Sequence, residues 1–566
     1  MPRRLWTVGL SSLLATACSS GSGTQPPLAP CTATSGGAAG AVSPAYGGVT
    51  SIDPTQTSGC AVFQANATAG IIEYLVVPQS ASRIPDDSQA FKLGGNPLAA
   101  PPAPGAPLAS AFGPNVAQQF DLRLRLSERE FAAQVPRPLR APPRAPALVT
   151  PVDSGNVRTF KVCNTLSCDP RKPTTLSTVT ATALKVGTHI AIFVDNAAPQ
   201  PGLTDSDLNN LRTVFDTRLY ETDTLAFGGE SDIDNNGMVI VLMTGKVNAL
   251  VTSAQCNNPT GGYVAGFFFG ADLITTAPFA TGNAGEIFYS IVPDPSGTLS
   301  CPHSVSAVTQ LVPVTFVHEF QHMISFNQHF LVRGNFPEDL WLNEGLSHYA
   351  EENGGRTFLP DTATFCRYAF GDLYNSAQYF TAPQNYFLVD TAGIGGLANR
   401  GAYWLFVRYL VDRVGPTLGS ADSVTRRLDG TALIGAANVT NATGGTAFPT
   451  VLARWALANY VSDLPGFTAP PELQYLTWKF RSDYQTMKTA CGAFFSTGNL
   501  PSQFPLTPSV VNSSAALAGM LRAGSGSYYR LQQAASASAF TLLFSNSAGG
   551  ALRATLVPRL NVIRLQ

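Results

Sequence analysis

At 566 residues the chain is too long for one hydrophobic core, so roughly two to four domains are expected. Charged residues are only 13% and the net charge is −1, with no basic block outside one Pro-rich stretch, which excludes recognition of nucleic acid or an anionic membrane surface by bulk charge. Solubility must lean on Ser, Thr, Asn, Gln and Gly.

Arg3 and Arg4 precede an apolar run from Leu5 to Ala17, too short to cross a bilayer and suited to a signal peptide over residues 1–17. Ala15-Thr-Ala17 is an ordinary cleavage site. Cys18 followed by Ser-Ser-Gly-Ser-Gly instead favours a bacterial lipoprotein junction with a flexible tether over 18–30, although Ala15 stands where such junctions usually carry Leu. Setting Cys18 aside leaves eight of the nine cysteines, and in an exported chain that even number predicts up to four disulfides. Proximity pairs Cys31 with Cys60, Cys163 with Cys168, Cys256 with Cys301, and Cys366 with Cys491.

Strand-like runs at Cys60 to Val77 and Phe120 to Leu126 suggest a β-rich N-terminal domain over 31–131. The Pro-rich stretch that follows, with Arg137, Arg140 and Arg144, reads as a stiff linker over 132–151. It would also serve as a maturation site if the N-terminal domain were a pro-region.

A catalytic domain is expected over 152–495. It opens with strands near Phe160 and Ile190 to Val194, a helix over about Thr204 to Tyr220, and strands at Met238 to Met243, Tyr263 to Phe269 and Ile287 to Val292. Within it, Asp232-x-Asp234-x-Asn236-Gly237 has the alternating oxygens of a calcium loop, but Met243 stands where an EF-hand needs its bidentate Glu. A turn is the preferred reading and calcium at Asp232, Asp234 and Asn236 the minority one.

The chemistry concentrates further on. His318 and His322 are four residues apart, which on a helix places both imidazoles on one face within reach of a single ion. Glu319 is rotated about 100° from His318 and projects beside that ion, as a base for metal-bound water should. Pro313 is placed in the helix's first turn. A second helix is expected over Asp339 to Glu352, ended by Asn353-Gly354, and Glu344 on it is the natural third ligand, since catalytic zinc commonly takes two His and one carboxylate. His348 is an alternative ligand. Glu351, on the same face as Glu344, can orient a ligand histidine. His329 lies about 16 Å along the axis from His318 and cannot join them. The bland reading, a chance His-Glu-x-x-His on a buried helix, is weakened because the chain has only six histidines and the Asn-Glu-Gly helix follows closely.

The segment His318-Glu-Phe-Gln-His-Met-Ile-Ser-Phe-Asn327 followed by Trp341-Leu-Asn-Glu-Gly-Leu-Ser-His-Tyr-Ala-Glu-Glu352 resembles the gluzincin metallopeptidases, in particular the bacterial hyicolysin family. Gly187 to Asp195, Phe215 to Tyr220, Asp232 to Met238, Gly285 to Tyr289 and Gly401 to Leu410 read alike, so the resemblance covers roughly 185 to 465. It implies zinc on His318, His322 and Glu344 with Glu319 as base. It also implies an α+β zincin fold, a thermolysin-like mixed sheet plus a helical lobe, and helical spacing at Gly401 to Val414 and Phe448 to Val461 supplies such a lobe. Two departures stand out. The 21 residues between His322 and Glu344 are a few more than in better-known gluzincins, and His348 occupies a position where thermolysin-like members carry an acid.

Strand patterns return at Tyr528 to Leu531, Phe540 to Phe544 and Leu552 to Leu565, suggesting a separate β-rich C-terminal domain over 500–566. The expected function is an exported or surface-anchored zinc endopeptidase acting on protein or peptide substrates, with membrane contact only through Cys18. Tyr403 and Tyr349 are the candidates for oxyanion stabilisation. No Gly-x-Met-x-Asn segment of the kind that grips a free amino terminus is present. The alternative is a surface lipoprotein using an inactive zincin fold as a binding or structural module, which would not need Glu319.

Overall fold

In the computed structural model, residues 26–95, 115–135, 152–258, 261–275, 282–391, 396–493 and 500–566 are described. The expected signal peptide, Cys18, and most of the tether and of the 132–151 linker lie outside them.

The two β-rich ends, expected as separate domains, share one sandwich. From the N-terminal side come β1 (Val49–Ile52), β2 (Cys60–Phe63), β3 (Ile72–Ser80) and β4 (Ser88–Gly94). From the C-terminal side come β11 (Ser509–Asn512), β12 (Ala516–Arg522), β13 (Tyr529–Gln533), β14 (Phe540–Asn546) and β15 (Pro558–Arg564). One sheet runs β1-β15-β3-β13-β11 and the facing sheet β12-β4-β14-β2. The reason is visible in β3: all nine of its residues are buried, and its backbone is paired on one side by β15 and on the other by β13. Neither end carries enough strands to satisfy such a strand alone. Phe63, Tyr74, Phe91 and Phe544 fill the space between the sheets.

Residues 120–126, expected as a strand, lie instead inside helix α1 (Val116–Gln134), which starts with a reciprocal cap between Asn115 and Gln118. Its buried face includes Phe120, Leu124, Arg125, Glu128 and Phe131, and Phe120 packs on Phe267 with ring centroids 5.1 Å apart. The helix therefore sits on the central part of the molecule, not on the sandwich. The alternation Phe-Asp-Leu-Arg-Leu-Arg-Leu imitates a strand because two of the residues facing inward, Arg125 and Glu128, are charged and pair with each other at 3.0 Å.

That central part is built on a six-stranded mixed sheet of β5 (Val157–Cys163), β6 (Leu176–Val186), β7 (Ile190–Asp195), β8 (Val239–Met243), β9 (Gly266–Phe268) and β10 (Ile287–Ser290), in the order β5-β6-β7-β8-β10-β9. The β7-β8-β10 core is parallel, and β9 is an antiparallel edge. Between β7 and β8 come α2 (Asp205–Val214), a wide turn at Phe215–Leu219, and α3 (Tyr220–Phe227). Two single-turn helices, α4 (Gly245–Asn248) and α5 (Ser253–Cys256), precede β9.

Helix α6 (Val305–Phe326) packs on this sheet through Phe316, whose ring lies 3.8 Å from Phe215 and 4.8 Å from Phe288. It begins at a Ser304 cap, so Pro313 is inside the helix and not in its first turn. The buried face of Val308, Val312, Phe316, Val317 and Phe320 carries the helix through the missing backbone bond. Helix α7 (Leu340–Arg356) follows with Asp339 at its start, and runs past Asn353-Gly354. These glycines serve close packing instead of termination: a Cβ on Gly355 would come within 2.5 Å of the Tyr368 Cβ.

The lobe behind is helical: α8 (Thr362–Thr381), α9 (Leu397–Leu418), α10 (Asp422–Asp429), α11 (Gly435–Ala442), α12 (Phe448–Val461) and α13 (Phe480–Ala490). It joins the sandwich where Tyr528 donates to the Ala456 carbonyl at 3.0 Å on α12. All four expected cysteine pairs are bonded, with Cα separations of 5.4 to 5.8 Å. No helix among the described residues is long and apolar enough to cross a membrane.

Candidate metal centre

His318, Glu319 and His322 project from one buried stretch of α6 toward Glu344 on α7. His318 Nε2 lies 3.8 Å and His322 Nε2 3.4 Å from the Glu344 carboxylate, and the three ligand atoms fall within 4.8 Å of one another. Both Glu344 oxygens are buried, and Oε2 is ion-paired with Arg400 at 2.8 Å. Arg400 takes Oε2, which leaves Oε1, 3.4 Å from His322 Nε2, as the buried oxygen open to a metal cation. Two imidazole nitrogens and one carboxylate match the donor set that zinc takes in catalytic sites, so the residues fit the metal.

The opposite faces of the imidazoles are held. His318 Nδ1 is 2.7 Å from Glu351 Oε1, which places Glu351 where it orients this ring. His322 Nδ1 is 3.1 Å from Asn343 Oδ1 and 3.0 Å from the Ser347 hydroxyl. Burial would raise the Glu344 pKa, but Arg400 at 2.8 Å and the two histidines outweigh it and hold the carboxyl well below its usual range. Arg400 reaches Glu344 because α9 approaches α7 closely at Gly345, where a Cβ would lie 2.8 Å from the Tyr403 carbonyl oxygen.

Glu319 makes no ion pair with Arg400 and sits beside the ligands, accepting a hydrogen bond from the Phe268 amide of β9 at 2.9 Å. Burial pushes its pKa up to about 7, against the pull of His318. A carboxylate so placed holds and releases a proton near neutral pH.

His348, the alternative ligand, lies 3.1 Å from Glu351 and 3.0 Å from Asp372. Those acids overcome burial and raise its pKa to about 10, while burial and the neighbouring Glu351 push the Asp372 carboxyl well above its usual range. It nonetheless forms a second compact group with His318 and Glu351. His329 is elsewhere, fully buried with Asp429 at 3.6 Å and Glu338 at 3.8 Å. Neither tyrosine singled out for oxyanion contact lines the cleft: the Tyr403 hydroxyl donates to Asp390, and Tyr349 is packed beneath Arg408. The cleft, about 360 Å³, is lined instead by Asp121, Tyr263, Gly266, His318, Glu319, His348 and Arg400 among others.

Asp121 and Arg400 escaped the sequence reading. Arg400 directly precedes the Gly401 segment of the resemblance, the one signal it carried. Asp121 had none, because its helix resembled a strand.

At the other candidate site, Asp232 Oδ1 accepts from the Gly237 amide at 3.0 Å and Asn236 Oδ1 from the Met238 amide at 2.6 Å. Asp234 is paired with Arg158 at 3.1 Å. Asp232, Asp234 and Glu286 do converge, but Arg158 pairs with Asp234 and Glu286 accepts from Ser231 and the Ile233 amide, and calcium finds no support.

No family profile matches the chain. A neutral metalloprotease, ShpI, of Staphylococcus hyicus is 30% identical over 151 residues, which is 26% of this chain and 31% of that protein. The chain thus aligns with about a third of that relative's length, a partial similarity to a metalloprotease.

Proposed function

We propose that this protein is an exported zinc metalloendopeptidase of the zincin type, hydrolysing peptide bonds in protein or peptide substrates. The observation that carries the reading is the convergence of His318 and His322 on the buried Glu344 carboxylate, with Glu319 poised beside them. The partial similarity to a metalloprotease supports the same class. Zinc, when bound, acidifies a coordinated water and polarises the scissile carbonyl. Glu319, oriented by the Phe268 amide, takes the proton of the attacking water and delivers it to the leaving amine. Glu351 and Asn343 keep the two imidazoles in register for the metal. Arg400 balances the charge of Glu344 without touching Glu319.

Export is supported by the four disulfides, which persist in oxidising compartments, and by the signal-like segment 1–17 with Cys18 as a surface anchor.

The test is hydrolysis of an unfolded protein by the zinc-loaded chain, with and without a chelator, beside Glu319→Ala. Chelator-sensitive cleavage that falls by ~10² or more in the variant while zinc is retained is the expected result. Full zinc occupancy with no cleavage, by the chain or by a variant in which helix α1 is loosened from the cleft, would overturn it.

A further inference from the structure

We infer that helix α1 is a built-in inhibitor of the cleft it covers, its Asp121 carboxylate occupying the open position of the metal centre. This rests on the zinc reading above.

The placement of Asp121 is the first observation. Its carboxylate forms a compact group with Glu319 and His322, all ligand atoms within 4.8 Å of one another. Its Oδ1 is buried and makes no hydrogen bond, although Arg125 Nε stands 3.3 Å away. Its Oδ2 is held by Arg400 at 2.8 Å, the same guanidinium that holds Glu344 at 2.8 Å. One arginine thus gathers Glu344 and Asp121, each on one of its two terminal nitrogens. A catalytic zinc keeps one position for water, and a carboxylate delivered there displaces that water from Glu319.

The second observation concerns β9. As an antiparallel edge strand beside the base, it offers the outward backbone groups to which an extended peptide adds as a further strand. At its Phe268 end that edge is already taken. The Phe268 carbonyl accepts from Arg125 at 2.6 Å, and just beyond the strand the Gly270 amide donates to Glu128 at 2.7 Å. Both side chains come from α1, both are buried, and they pair with each other at 3.0 Å. Arg129 fastens the same helix to Asp339, just ahead of α7, at 3.0 Å. The helix therefore blocks the metal and the strand edge together, and its charged residues are the ones that do so.

The experiment loads the whole chain with Co²⁺ and follows its visible absorption and its affinity for acetohydroxamate, in the parent and in Asp121→Asn. Loss of the carboxylate should change the Co²⁺ bands and tighten acetohydroxamate at least tenfold. The triple variant Asp121→Asn, Arg125→Gln, Glu128→Gln removes the buried pair together, so no lone charge remains. With zinc it should cleave unfolded protein at least tenfold faster than the parent. Unchanged bands and unchanged acetohydroxamate affinity in Asp121→Asn overturn the inference, leaving α1 a fixed wall of the cleft. Co²⁺ binding that survives His318→Ala would instead overturn the zinc reading itself.

Discussion

At the residue scale the candidate metal centre is a set of charges and rings that hold one another. Glu351 acts through His318, so Glu351→Ala is expected to weaken zinc ~10- to 100-fold without removing a ligand, measured by chelator competition. Glu286 makes a different prediction. Burial, reinforced by the nearby Asp234, pushes its pKa to about 7, above the ordinary 4.5. The folded protein therefore keeps a proton that the unfolded chain loses across that interval, and this stabilisation is present below about pH 4.5 and fades as pH rises toward 7. It amounts to at most ~3 kcal/mol. Glu286→Gln should flatten the stability profile between pH 5 and 7 relative to the parent, followed by thermal unfolding in chelator. Repeated with added calcium in place of chelator the profile should be unchanged, whereas an inverted slope would mean that calcium binds the charged carboxylate.

At the element scale the helices that carry the site were legible because their evidence is local. His318, Glu319 and His322 sit within five residues, and Asn343-Glu344-Gly345 needs only the next helix, so spacing on one helical face was enough. Helix α1 was not legible. A period of 3.6 is read from apolar residues, and α1 hides it by burying Arg125 and Glu128 as a mutual pair. Pro313 misled in the same way: a local rule placed it at a helix start, and tertiary packing of α6 on Phe215 and Phe288 overrode the rule. Disulfides act at this scale too. Cys366 on α8 and Cys491 after α13 close a loop of 125 residues. Replacing both by Ala should lower stability by up to ~5 kcal/mol on the chain-entropy account, read as a fall in the midpoint of denaturant unfolding.

For the whole molecule, the first and last described strands lie in the same sandwich. β1 pairs with β15 and β3 with both β15 and β13, across more than 450 residues of sequence. Such pairing has no signature in a single strand, which is why the two ends looked like two domains. It follows that deleting 509–566 strips β3 of both neighbours. The truncated chain should show residues 49–94 newly open to proteolysis, while an intact 49–94 after the same deletion would contradict the shared sandwich. The sandwich also bears on the site indirectly, since it packs on α12 within the helical lobe that includes α9, the source of Arg400.

Which side chains hold the metal is the central question. Zinc affinity by chelator competition, compared between Glu344→Ala and His348→Ala, tests this directly. The arrangement predicts that Glu344→Ala weakens zinc by more than ~100-fold and His348→Ala by less than ~10-fold. Full affinity in Glu344→Ala together with loss in His348→Ala would contradict it.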